Sequence, residues 1–197
     1  MGENRKIIGK YLDGLEKEQI LSYSSLELDS RDLSRHWRRC SITSDFYAKY
    51  FSFFYPEKKD TGRNDMNREE AEYTISFILN ELFENVAKYS AEEETLVELE
   101  IWHLDKKMII NISNYLLKDN AVKFAKIAQE LTTGNPEELY IQKLEENVET
   151  GNSGSGLGYL TLMNDYGAVF GYNFIKEKED LYKVTVQTHI DMTVEGE

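Results

Sequence analysis

Two short stretches hold residues whose types and spacing could do chemistry. The first, ELFENVAKYS at residues 81–90, sets Glu81, Asn85 and Lys88 at i, i+4 and i+7. On a helix these side chains project within about 80° of one another. A carboxylate can take a proton, a carboxamide oxygen can ligate a hard cation such as Mg2+, and an ammonium can neutralise phosphate. The second stretch, GNSGSGLGYL at residues 151–160, holds four of the chain's 12 glycines just before an apolar run. Lacking Cβ, Gly154, Gly156 and Gly158 can take positive φ and bring backbone N–H groups close to an anion. Leu157 onward should begin a helix, whose first turn carries unpaired N–H donors and roughly half a positive charge. Singly, each stretch has a plainer reading: a solvated helix face and a flexible Gly/Ser linker.

The elements that must position them follow from periodicity. Asn67 with Glu70 three residues on is an N-cap pattern of capping-box type, and it opens a long helix over 67–90. Ala71, Ile75, Ile78, Leu79, Leu82 and Val86 form its apolar stripe, so the polar trio falls on the border between core and surface. VELEIWHL and KMIINIS alternate and turn at Asp105-Lys106, predicting an antiparallel pair. Helices are expected over 119–131 and 136–147, then one from the glycine loop through about 166. GAVFGYNFI and LYKVTVQTHI predict a second hairpin. Upstream, Ile7, Ile8, Tyr11, Leu12 and Leu15 suggest an amphipathic helix over 1–18, and QILSYSSLEL a strand. Ser30 is placed to cap a helix through RDLSRHWRR, and Ser44 another through DFYAKYFSFFY, stopped by Pro56. These elements predict an α+β fold: a two-layer α/β sandwich with a mostly antiparallel sheet covered by helices on one face. A helical appendage over 1–62 would pack on a core domain over 63–197, with the loop EKKDTGRND between them.

Composition narrows the function classes. The chain is 41% hydrophobic and 30% charged, as in a soluble globular protein. No apolar run reaches the ~20 residues of a membrane span, and the N-terminus lacks a signal peptide's apolar centre. Lys6 stands where myristoylation wants Ser or Thr. A net charge of −13 repels a phosphate backbone, which argues against nucleic acid as the main partner. Cys40 is the lone cysteine, so no intrachain disulfide forms and a cytoplasmic location is expected. His36, His103 and His189 have no metal-ligand spacing with it. Phe46, Tyr47, Tyr50, Phe51, Phe53, Phe54 and Tyr55 exceed what one helix stripe needs. Most should dock as core, and an exposed remainder would serve self-association as a homodimer, or a partner.

Together the two stretches resemble the GHKL superfamily of ATP-binding domains. ELFENVAKYS looks like its N box, E-x-x-x-N-x-x-K, and GSGLGYLTL at 154–162 like its second glycine box, G-x-G-L-G. The order helix, hairpin, lid, glycine loop, helix, hairpin also matches, over roughly residues 67–190. The resemblance implies a Bergerat-type ATP-binding fold, with ATP and Mg2+ as ligands. It implies that Asn85 holds the metal, Lys88 meets phosphate and Glu81 orients or deprotonates the nucleophile. The backbone of Gly154, Gly156, Leu157 and Gly158 would hold the phosphates, and NPEELYIQKLEENVETGNS would be the lid. The family's first glycine box, D-x-G-x-G, is altered: Asn114 stands where the adenine-reading Asp is expected and Leu116 where a Gly is. Asp119 is a rival adenine partner. His36 is the only upstream phosphoacceptor candidate, and its neighbours do not look like a histidine kinase's box. The chain looks closest to stand-alone anti-sigma-factor serine kinases and SiaB-type bacterial regulators. That implies serine/threonine kinase signalling on a protein partner: an anti-sigma antagonist, a sigma-type factor or a two-component protein. A non-catalytic ATP-binding module acting by contact is the alternative, and an intrachain hydrolase a third reading.

Overall fold

Six strands, β1 (Arg5–Gly9), β2 (Ser22–Asp29), β3 (Leu96–His103), β4 (Lys107–Leu117), β5 (Val169–Lys178) and β6 (Leu181–Asp191), form one antiparallel sheet. Their order is β1-β5-β6-β4-β3-β2. The computed structural model describes residues 4–15, 19–30, 37–58, 66–90, 95–150 and 157–193. Within them lie five helices: α1 (Trp37–Ser52), α2 (Arg68–Tyr89), α3 (Lys118–Thr133), α4 (Pro136–Thr150) and α5 (Gly158–Tyr166). The α+β class and the antiparallel sheet are as the sequence predicts.

Strand alternation gives the sheet two unlike faces. Register places Leu99 opposite Ile112 and Ile112 opposite Val186, with Tyr172 next across. Ile101, Ile110, Thr188 and Phe170 form the adjacent row. These residues are buried, and helices cover them. Phe51 of α1 lies against His103, while Phe124 of α3 meets Tyr172 and Phe174. Tyr159 of α5 packs edge-on to Phe170. The central helix α2 buries Ala71, Ile75, Ile78, Leu79, Leu82, Phe83 and Val86. Its N-terminus carries the full capping box: Asn67 accepts from the Glu70 N–H, and Glu70 accepts from the Asn67 N–H.

The opposite face is polar yet closed over its β5–β6 half. Asn111, Ser113, Asn173, Thr185, Gln187 and His189 are all buried there. Residues 10–12 cross it as a strap. Gln187 behaves like a strand neighbour toward Leu12: it accepts from the Leu12 N–H at 2.7 Å and donates to the Leu12 carbonyl at 3.1 Å. It also donates to Asn111, and His189 Nε2 lies 3.0 Å from the Lys10 carbonyl. Paired in this way, the polar groups avoid the cost of unmet burial. Gly9 makes the turn into the strap at φ +71, and Gly171 leaves space for the Lys10 carbonyl that a Cβ would take.

Three N-terminal expectations need correction. Of the helix expected over 1–18, the described residues 4–15 instead form the edge strand β1 and the strap, because β5 and Gln187 satisfy their backbone from far along the chain. Ser44 caps nothing: it lies fully buried inside α1, whose single stripe of Cys40, Ser44, Tyr47, Ala48 and Phe51 runs straight through it. Residues 1–62 are thus not a helical appendage throughout, since β1 and β2 are the two edges of the sheet. The helix expected from Ser30 falls mainly on residues 31–36, outside the described residues, as does most of the dividing loop at 59–65.

Two outcomes follow. A Cβ on Gly9 would sit 2.5 Å from the Phe170 carbonyl oxygen at a left-handed φ. Gly9→Ala should therefore cost about 1–3 kcal/mol, read as a lower urea midpoint at unchanged m-value. His103 and His189 are both held below the ordinary histidine value of 6.5, first by burial, with Lys10 and Lys107 adding to the effect at His189. A depressed folded pKa means that the unfolded chain binds protons first. The stability these groups contribute is therefore present above about pH 6.5 and lost as pH falls through their folded values. Thermal midpoints measured in steps from about pH 7 to about pH 5 should fall.

Candidate functional site

The long helix and the second glycine motif meet. Glu81, on the border of the α2 stripe, reaches the first residue of α5: a Cβ at Gly158 would collide with the Glu81 Oε2. Only bare backbone permits that approach. The Glu81 carboxylate is half-buried and accepts no hydrogen bond among the described residues. Burial, then repulsion from Glu84, push its pKa up, against an opposing pull from Lys88. A partly desolvated carboxylate without a fixed partner has the chemistry of a general base.

One turn on, Asn85 donates its Nδ2 to the Glu81 carbonyl at 2.9 Å, and its Oδ1 accepts nothing among the described residues. Asn85 lines a cavity of about 550 Å³ between α2, α3, α4 and α5. Phe124, Leu131, Leu139 and Tyr159 give it apolar walls; Gln142, Lys143 and Glu146 of α4 give it a polar one. α4 occupies much of the segment expected as a lid, and Asn135 opens it by accepting from the Glu137 and Glu138 N–H groups. Lys143 pairs with Glu146 at 2.9 Å on that wall.

Not every expected residue arrives. Lys88 is exposed and forms an ion pair with Glu84 one turn back. Leu157 precedes α5 as its N-cap residue, in helical conformation and without a side-chain cap. Gly154 and Gly156 lie outside the described residues. Asn114 is buried on β4 and donates to Ser90, the C-cap residue of α2, at 2.9 Å. It shares with Asn85 an inner cavity of only about 20 Å³, walled by Val86, Leu116, Phe124, Tyr159 and Val186. Asp119, the rival adenine partner, is exposed in the first turn of α3.

An adenine nucleotide with Mg2+ therefore fits this site at one end only. The outer cavity has the size of small-ligand sites and offers an unused amide oxygen; its one ammonium, Lys143, is paired with Glu146, and Glu130 lines it too. The inner one holds about a single water, far less than a purine. Phe124 and Tyr159, 6.2 Å apart between ring centres, fill the space beside Asn114. Sequence reading missed both of them, together with Lys143. Tyr159 directly follows the glycine motif, and Phe124 belongs to the α3 stripe Ala121, Phe124, Ala128 and Leu131. Among His, Cys, Asp and Glu of the described residues there is no group of three able to hold a metal. Magnesium on an Asn oxygen plus phosphates does not need one.

No protein-family model matches the chain, and a search of curated proteins returns no match. No helix among the described residues is long and apolar enough to cross a membrane.

The raised Glu81 pKa carries a stability consequence. A raised folded value means that the charged form costs stability as pH rises above about 4.5. Glu81→Gln should raise the thermal midpoint near pH 7 by about 1–3 °C, a change below about 1 kcal/mol given the partial exposure, and the gain should vanish near pH 4.

Proposed function

We propose that the chain is an ATP-dependent, magnesium-requiring regulatory kinase of the GHKL type, with a Bergerat-type fold. It would phosphorylate a serine or threonine on a small protein partner, such as an anti-sigma antagonist. The observation that carries this reading is the meeting of Glu81 with Gly158. Residues 77 positions apart in sequence, drawn from the two motifs that suggested the superfamily, stand in contact.

Mg-ATP, when bound, supplies the phosphoryl group and the cation. The remaining work falls to side chains. Asn85 Oδ1 would hold the metal, and the α5 N-terminus would balance phosphate charge, joined by Lys143 from the opposite wall once it leaves Glu146. Glu81 would take the proton of the incoming hydroxyl, for which a pKa nearer neutrality suits it. Lys88 would contribute only after leaving Glu84. The base end would need α3 to swing outward, carrying Phe124 from beside Asn114. A buried lone cysteine fits a cytoplasmic signalling protein.

The narrow inner cavity favours a second reading, a non-catalytic module that signals by contact with a sigma-type factor or two-component protein. Calorimetric titration of the purified chain with ATP, with and without Mg2+, separates them. The kinase reading expects magnesium-dependent binding that Asn85→Ala weakens at least about tenfold, and phosphoryl transfer to the partner that Glu81→Ala abolishes while binding persists. Binding without transfer leaves the contact module. No heat with either form ends the nucleotide reading.

A further inference from the structure

We propose that two copies of this chain associate through the free edge of β2 and the exposed stripe of α1, joining their sheets into one of twelve strands. This rests on neither motif of the nucleotide site.

β2 closes the sheet order with no strand on its outer side among the described residues. It is eight residues long, SYSSLELD, in unbroken register with β3. It has no proline, lysine or bulge, and of the means by which an edge is kept from pairing it carries only charge, at Glu27 and Asp29. α1 lies above β2 and β3: Ser24 Oγ donates to the Tyr47 hydroxyl at 3.1 Å, and the Phe54 ring, just past the helix, lies tilted against His103 at 4.6 Å. One flank of α1 is held by α2 through Lys49–Glu72 and Asp45–Ser76. Ile42, Phe46 and Tyr50, at i, i+4 and i+8, are turned from that flank toward the β2 side, where Tyr50 lies 3.5 Å from Ser22. They are 68%, 62% and 48% exposed, and Phe54, just past the helix, is 47% exposed.

The occupant that fits is the chain itself. Antiparallel pairing of β2 with its copy about Ser25 sets Glu27 opposite Tyr23 and Asp29 opposite Leu21, so no like charges meet. The chain's net charge of −13 would oppose a dimer that lacked such a register. The same two-fold axis suits the helices. Each α1 covers two strands, so the paired helices would run about 10 Å apart, twice the ~4.8 Å strand spacing, which is the distance at which helices pack. Since Ser24 meets Tyr47, the axis at Ser25 passes close to Phe46, and the two stripes cross there. Ile42, Phe46, Tyr50 and Phe54 would bring roughly 400 Å² per copy before the strand edge is counted, against about 800 Å² in a standard interface.

Light scattering after gel filtration, from about 1 to about 100 μM, should find a dimer, and Phe46→Glu should weaken it at least about tenfold with an unchanged thermal midpoint of the monomer. Val148→Glu, on exposed α4, should leave it intact. Ser25→Cys tests the register. Directly opposed residues lie about 4.5–5.5 Å apart, within disulfide reach, so oxidation should give a covalent dimer. Glu27→Cys, about 13 Å from its mate, should not cross-link. Cys40 is buried and does not compete. A monomer throughout the range, a dimer indifferent to Phe46→Glu, or cross-linking at residue 27 rather than 25 would overturn the proposal.

Discussion

The site depends on one close approach, a carboxylate of α2 set against the bare Cα of Gly158. Everything around it works to hold two helices at that distance. The capping box and the apolar stripe fix α2 on the sheet, while Tyr159 and Leu160, immediately after the glycine, anchor α5 to the core. A side chain at Gly158 would not need to unfold the protein to spoil this, because the Glu81 carboxylate is the flexible end of the contact. It would only displace the Glu81 carboxylate from the start of α5. Glycine there serves geometry at the cleft and contributes little to stability.

The second constraint is the two-sidedness of β4. It turns Met108, Ile110, Ile112 and Leu116 to the helices and Asn111 and Ser113 to the opposite face, and it pairs along its whole length with β6. Asn114 is the exception on the apolar side. It is buried in the helix-facing layer, where its amide is tied to Ser90 at the end of α2. A polar residue in that layer calls for a polar partner. The structure supplies one from the same helix that carries Glu81 and Asn85, so the C-terminal end of α2 is fixed to the sheet through Asn114.

What was legible in the sequence was local. Asn67 and Glu70 announce a helix start three residues apart, Asp105 and Lys106 announce a tight turn, and the motif residues lie within single elements. What was not legible depends on distant pairing. Ile7, Ile8, Tyr11, Leu12 and Leu15 have helical spacing, but the hydrogen bonds that decide their conformation come from β5 and Gln187, more than 150 positions away. Tertiary pairing overrides so short a pattern. Ser44 has the right identity for a cap yet lies in phase with the buried stripe of α1, and phase prevails. The closure beside Asn114 was hidden for the same reason. It arises where Phe124, Tyr159 and Val186, from three separate elements, converge.

The direct junction of β4 and α3 has a physical consequence for the cavity. β4 ends at Leu117 and α3 begins at Lys118 with no intervening loop and no side-chain cap. The helix therefore folds straight back over the sheet, and its stripe of Ala121, Phe124, Ala128 and Leu131 becomes core. On one side α3 walls the cavity that contains Asn85. On the other, Ala121, Val122, Ala125 and Lys126 wall a second cavity of about 470 Å³, with Arg5 and Lys6 of β1 across it. At its far end α3 also meets the turn into the strap, where a Cβ on Gly9 would collide with the Thr132 methyl group. One helix therefore borders both the cavities at Asn85 and Asn114 and the turn at Gly9 from which the strap sets out.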